Sequence, residues 1–122
     1  MANNFSRTLL AFSALILLLG GVMHASAFKK MLSAVDVSNL QPFYGNSLKG
    51  LWLIDAATLI SLAIVFAVIA AQPALASKYV VILLAIVPAA TAFFLYRFIG
   101  NFLPAHMLLA AAITAVIAGL RL

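Results

Sequence analysis

Four long apolar runs dominate the chain, at about residues 7–28, 51–71, 79–99 and 102–120. A hydrocarbon core of ~30 Å is crossed by about 20 helical residues, so each run is long enough to span a membrane. None shows the apolar-polar alternation of a barrel strand, and backbone amides in lipid must be satisfied within their own segment. With short links, the pattern predicts an all-α integral membrane protein, a four-helix up-down bundle that forms one domain over residues 1–122.

The one long connection is expected at residues 29–50. Its first part has the pattern of an amphipathic helix lying in the membrane interface. Residues 39–50 then collect proline, glycine and asparagine, which predicts turns and a loop. Aromatic side chains around this segment are typical of interfacial anchors: Phe43, Tyr44 and Trp52.

Small residues recur on one face of several runs, as in helices that pack closely in lipid. Two alanine seams are predicted, Ala56, Ala63 and Ala70 in the second run and Ala111, Ala115 and Ala118 in the fourth. In the first run one stripe spans about 40° and contains Ser6, Ser13, Gly20 and His24. We therefore expect His24 to face another helix rather than lipid.

The first run also has features of a signal peptide. Arg7 precedes the apolar residues, and residues 25–27 have the small-x-small form that signal peptidase cleaves. Cleavage after Ala27 would leave three spans. The apolar segment with its flank reaches about 20 residues, however, which favours a retained membrane span.

Composition excludes a soluble domain: 67% of the residues are hydrophobic, 7% are charged and the mean hydropathy is +1.25. The formal charge of +5 does not indicate nucleic-acid binding, because the basic residues are scattered at the predicted helix ends. Absence of cysteine excludes thiolate metal sites and disulfides. Expected partners are membrane lipids and either further copies of the chain or a larger membrane complex, in a bacterial inner membrane.

Four ionisable residues lie near span ends, and an up-down bundle brings these ends to one membrane face: His24, Asp55, Arg97 and His106. Thr58, Tyr96 and Asn101 belong to the same layer. Ionisable groups within spans are costly and are functional candidates. A structural explanation stands beside this one, because helix dipoles favour an acid at a helix start and a base at a helix end.

Three functional hypotheses involve the polar layer. In a binding or transport protein, Arg97, Asp55, Thr58, Tyr96 and Asn101 would contact a small molecule or lipid. In a membrane enzyme on a lipophilic substrate, His24 or His106 would be the acid or base and Asp55 would orient it. In a cofactor protein, His24 and His106 would be haem ligands, or would bind a metal together with Asp55. A structural subunit of a larger complex is a further alternative.

In size and four-span layout the chain resembles two bacterial families, the DoxX-like proteins and the small multidrug resistance transporters. The resemblance covers the whole chain at the level of hydropathy. The transporters depend on a glutamate in the first span, where this chain offers only His24. The resemblance therefore implies no site residues.

Overall fold

The computed structural model describes residues 3–75 and 77–122. The described part is helical and contains no strand. Its five α-helices are α1 (Asn4–Ser26), α2 (Phe28–Asp36), α3 (Pro42–Ala71), α4 (Lys78–Phe98) and α5 (Leu103–Leu120). One 3-10 turn, Pro73–Leu75, follows α3.

Within the described residues, four helical segments are long and apolar enough to cross a membrane: Asn4–Asp36, Pro42–Ala71, Lys78–Phe98 and Leu103–Leu120. The first joins α1 and α2 across Ala27. Large apolar side chains are exposed along all four. A surface of this kind is suited to lipid, as expected for an integral membrane protein.

The long helices pack in the order α3, α1, α5, α4. Each packed pair is antiparallel, because residues early in one helix meet residues late in the other: Arg7 meets Ala70, and Phe5 meets Arg121. Between α4 and α5, Tyr96 likewise meets His106. Although α3 and α4 follow each other in sequence, they touch only slightly.

The α1–α3 interface is built on the predicted alanine seam, and Ala56, Ala63 and Ala70 are all buried. Gly21 of α1 lies against the same surface: a Cβ built on it would come 2.7 Å from Cγ1 of Ile60 and 3.3 Å from the Ala56 carbonyl oxygen. In lipid, where apolar burial gives helices little attraction for one another, such close backbone approach allows van der Waals packing to hold them together.

Small residues also join α5 to its neighbours. The second predicted seam, with Ala111 and Ala115, is buried against the core. Ser13 of α1 is fully buried and donates its hydroxyl to the Ala111 carbonyl oxygen at 2.8 Å. On the other side of α5, a Cβ on Gly119 would lie 2.8 Å from Cγ1 of Ile82 in α4.

The predicted loop at residues 39–50 is wrong for most of its length. Helix α3 begins at Pro42, well before the expected start at Leu51. Proline fits the first turn of a helix, because an N–H group there would have no intrahelical partner in any case. Pro42 therefore starts the helix. Gly45 is buried against Val35 of α2. This tertiary contact offsets the poor helix propensity of glycine.

Helix α2 confirms the amphipathic pattern expected after the first span. Met31, Leu32 and Val35 are partly buried, whereas Lys29 and Asp36 are exposed. An ion pair of 2.9 Å between Asp36 and Lys49 ties the end of α2 to α3.

The turn between α4 and α5 contains the one positive-φ residue among the described positions, Gly100 at φ 97°. Its N–H donates to the Leu95 carbonyl oxygen and closes the end of α4. Asparagine is a favourable N-cap residue, and Asn101 stands just before α5. It does not cap the helix, however: Phe102 is the N-cap residue, no side chain caps α5, and the Asn101 amide contacts His106 instead.

Gly20 and Gly21 provide a matched test of the α1–α3 contact. We expect Gly21→Ala to lower the free energy of unfolding by about 1–3 kcal/mol, as overpacking does. Gly20→Ala should have no such effect, because nothing lies within 4 Å of a Cβ built there. Thermal unfolding in a mild detergent, followed by circular dichroism, measures both. Equal midpoints for the two variants would contradict this close approach.

Candidate functional site

A cavity of about 530 Å³ lies among the four long helices, at the end of the molecule where α1 ends and α5 begins. Its wall combines residues of α1, α3, α4 and α5 with the α4–α5 turn: Gly20, Met23, His24, Ala27, Trp52, Asp55, Leu59, Leu95, Ile99, Phe102, Leu103, Pro104, Met107 and Leu108. The volume is in the range of small-molecule sites, which typically combine an apolar wall with a few polar groups.

His24 and Asp55 are the ionisable groups of this wall. Nε2 of His24 lies 3.4 Å from Oδ2 of Asp55. The two atoms are close enough for an ion pair but do not form an aligned hydrogen bond, and Nε2 is buried without a hydrogen-bond partner in the described chain. The side chains are 27% and 39% exposed, respectively. The pair therefore retains unused hydrogen-bonding capacity beside the cavity.

Trp52 holds the histidine in place. Its indole stacks on the His24 ring with centroids 4.1 Å apart and an angle of 13° between the planes. The indole Nε1–H donates to the His24 backbone carbonyl oxygen at 2.8 Å. The last four carbonyl groups of a helix have no intrahelical donor, and the His24 carbonyl is one of these in α1. Trp52 thus supplies a hydrogen bond to the end of α1 and covers one face of the imidazole ring.

Trp52 was assigned from sequence to an aromatic belt, and its contact with His24 was not predicted. The available signal was its position three residues before Asp55 in a long helix. Residues with this spacing lie on the same face. A sequence search for polar side-chain partners does not find this contact, because the indole stacks on the His24 ring and its N–H bonds to a backbone carbonyl.

His106 belongs to a second group, built on α4 and α5. Nδ1 lies 2.6 Å from the Tyr96 hydroxyl, and Nε2 lies 2.5 Å from Oδ1 of Asn101. Because Asn101 Oδ1 can only accept, Nε2–H is the donor, and Nδ1 of a neutral ring then accepts a hydrogen bond from the Tyr96 hydroxyl. Neither His106 nor its two partners line the cavity.

Arg97 and Thr58 are not joined to either group. Arg97 is exposed, and its Cζ lies 5.7 Å from the ring centroid of Phe98. The Thr58 hydroxyl donates to the backbone carbonyl of Ile54, one turn earlier in α3. The single layer expected from sequence is therefore resolved into a His24–Asp55 pair, a Tyr96–His106–Asn101 group and two separate residues.

The two histidines do not face a common ligand position. His24 is directed at Asp55, and both ring nitrogens of His106 have other partners. Over residues 3–75 and 77–122, no three histidine or carboxylate side chains come together as metal ligands. A haem between the histidines would require His106 to give up a hydrogen bond, so this donor set does not fit the cofactor hypothesis.

Comparison of the chain with protein-family models, curated proteins and solved structures finds no match. The site must therefore be interpreted from its own geometry.

The division into two groups predicts how mutational effects combine. His24→Gln and Asp55→Asn should show a coupling of about 0.5–3 kcal/mol in unfolding free energy, because these side chains interact directly. His24→Gln and His106→Gln share no contact and should add within about 0.5 kcal/mol. Double-mutant cycles from thermal unfolding in detergent measure both terms. Strong coupling between the two histidines would instead restore a single polar cluster.

Proposed function

We propose that this protein is a membrane-embedded bundle that binds an amphipathic small molecule or lipid in the His24–Asp55 cavity. The observation that carries the proposal is the buried, unpartnered Nε2 of His24 beside a carboxylate in an otherwise largely apolar wall. A buried polar atom without a partner costs free energy. A ligand with a polar head and an apolar body would satisfy the pair and fill the volume.

The polar head is best matched by a hydroxyl or amine. Asp55 supplies an acceptor, and Nε2 of His24 supplies a donor or an acceptor according to the tautomer of the ring. No arginine or lysine of the described residues lines the cavity. Of the ligand contacts expected from sequence, only Asp55 lines the cavity, and Arg97 does not.

The gap between α3 and α4 is the proposed route into the cavity. All four long helices contribute to the wall, yet α3 and α4 scarcely touch, whereas the other neighbouring pairs pack along their lengths. A ligand dissolved in the bilayer would enter sideways through this gap, without crossing water. A lipophilic body is consistent with such a route.

The proposal places the chain in the membrane as a four-helix up-down bundle. The antiparallel pairs and the apolar spans support this arrangement. A helical protein of this kind belongs in an inner rather than an outer bacterial membrane, since outer-membrane proteins are typically barrels. Its small size and exposed apolar surface favour assembly with further copies or with a larger complex.

An enzyme is a second candidate, favoured by the way Trp52 orients the His24 ring beside Asp55. A histidine held by stacking and paired with a carboxylate has the components of a general base. On this proposal, His24→Gln would abolish turnover while ligand occupancy persists, which separates catalysis from binding. Incubation of protein with a total membrane lipid extract, followed by mass spectrometry of the lipids, would detect the conversion.

Native mass spectrometry of the protein released from a mild detergent tests the binding proposal. We expect the wild type to retain a bound mass. Asp55→Asn should weaken retention about tenfold, as expected for loss of a hydrogen bond to a charged group. Gly20→Leu should remove the bound mass by filling the cavity, because Gly20 lines it and has open space around its Cβ position.

Arg97→Gln and His106→Gln are the matched controls, since both residues lie at the same end of the molecule but outside the cavity wall. They should retain the bound mass. A mass that survives Asp55→Asn and Gly20→Leu but disappears in the controls would place the ligand elsewhere. A wild type that stays free of ligand after incubation with membrane lipids would also contradict the proposal.

A further inference from the structure

A second concave surface lies between α1 and α3, at the opposite end of α1 from the His24–Asp55 cavity. We call it the Arg7 groove. It has a volume of about 630 Å³ and shares no residue with the cavity. Its lining residues are Asn4, Arg7, Thr8, Ala11, Ala14, Leu15, Leu18, Ala63, Ile64, Ala67, Ala70 and Ala71. Polar side chains lie at one end only, and alanine, leucine and isoleucine form the rest.

We propose that the Arg7 groove binds one anionic phospholipid, with its headgroup phosphate at Arg7 and an acyl chain along the groove. This proposal does not rest on the proposed function of the cavity. It follows from the polarity, the length and the charge of the groove.

Arg7 supplies the headgroup site. Its Nε–H donates to the Ala70 carbonyl oxygen at 2.9 Å, which fixes the guanidinium at the end of α3. A guanidinium carries five N–H donors, and this bond uses one of them. Arg7 forms no ion pair with any carboxylate of the described chain. The remaining donors are suited to a phosphate, which arginine binds through parallel hydrogen bonds.

The length of the groove matches one leaflet. Along α1 the groove is lined from Asn4 to Leu18, and its part between Arg7 and Leu18 corresponds to roughly 16 Å at the rise of an α-helix. Half of a hydrocarbon core of ~30 Å is about the same distance. A phosphate at Arg7 would therefore lie at the membrane interface while an acyl chain follows the apolar wall towards the bilayer centre.

Charge at this end of the bundle favours an anionic lipid over a zwitterionic one. Arg7, Lys78 and Arg121 all lie here, because the helix pairs are antiparallel. Both acidic residues of the chain, Asp36 and Asp55, lie towards the other end. Each basic residue near a membrane surface adds attraction for anionic lipids.

The test is a titration of the intact protein in mild detergent with phosphatidylglycerol or phosphatidylcholine of identical acyl chains, followed by native mass spectrometry. We expect phosphatidylglycerol to bind more tightly. Arg7→Gln should weaken phosphatidylglycerol binding at least about tenfold, because it removes charge-assisted hydrogen bonds to the phosphate. Arg121→Gln removes the same charge at the same end, but Arg121 lies over Phe5 and outside the groove, so this variant should lose only the weaker attraction of a basic surface.

A second pair of variants tests the groove without changing charge. Ala67→Leu fills the groove, whereas Ala57→Leu makes the same substitution at an exposed position of α3 outside it. Only Ala67→Leu should reduce binding. Both variants retain Arg7 and its hydrogen bond to Ala70, so a loss of binding in Ala67→Leu alone would come from filling the groove. Circular dichroism of every variant checks that it folds.

Three results would overturn the proposal. Equal affinity for the two lipids would remove the role of the charged headgroup. Equal losses of phosphatidylglycerol affinity in Arg7→Gln and Arg121→Gln would show that the lipid is attracted to a basic surface in general and not to the groove. A wild-type dimer that Ala67→Leu converts to monomers, without selective lipid binding, would identify a second copy of the chain as the occupant.

Discussion

Close contact between α1 and α3 is the constraint on which the rest of the structure depends. Lipid solvates apolar side chains as well as a neighbouring helix does, so packing requires backbones that approach closely. Gly21 against Ala56 and Ile60 provides that approach. The same contact sets the depth of His24 relative to Asp55, and it brings Arg7 to the end of α3. Both candidate sites therefore derive from one helix pair.

The His24–Asp55 cavity exists because the four long helices pack unevenly. Helix α1 packs against both α3 and α5, and α4 is attached mainly to α5. This arrangement leaves space between α3 and α4. Gly20 contributes to the same space, since it has no neighbour at its Cβ position, whereas the adjacent Gly21 is in tight contact. Two consecutive glycines thus serve opposite purposes, one in packing and one in forming a cavity.

Sequence reasoning was most successful where a residue's environment follows from helical periodicity. The alanine seams of α3 and α5, the inward direction of Ser13 and the exposed polar face of α2 were all expected and are all present. It failed where a tertiary contact outweighed the local preference of residues for a turn. The turn formers of residues 39–50 predicted a loop, but Pro42 starts a helix, and Gly45 is accommodated within it beside Val35.

The sequence by itself determined that the chain contains four long apolar helices that could cross a membrane, and the end of each helix at which its ionisable group lies. These properties depend on hydropathy and on spacing along one helix, which neighbouring residues control. The tertiary structure alone decided that Asp55 meets His24, that His106 contacts Tyr96 and Asn101, and that Trp52 stacks on His24. Such pairings depend on the rotation of each helix and on which helices become neighbours. Similar small-residue faces on several helices allow more than one choice of neighbours, so the pairing is settled only when all the interfaces form together.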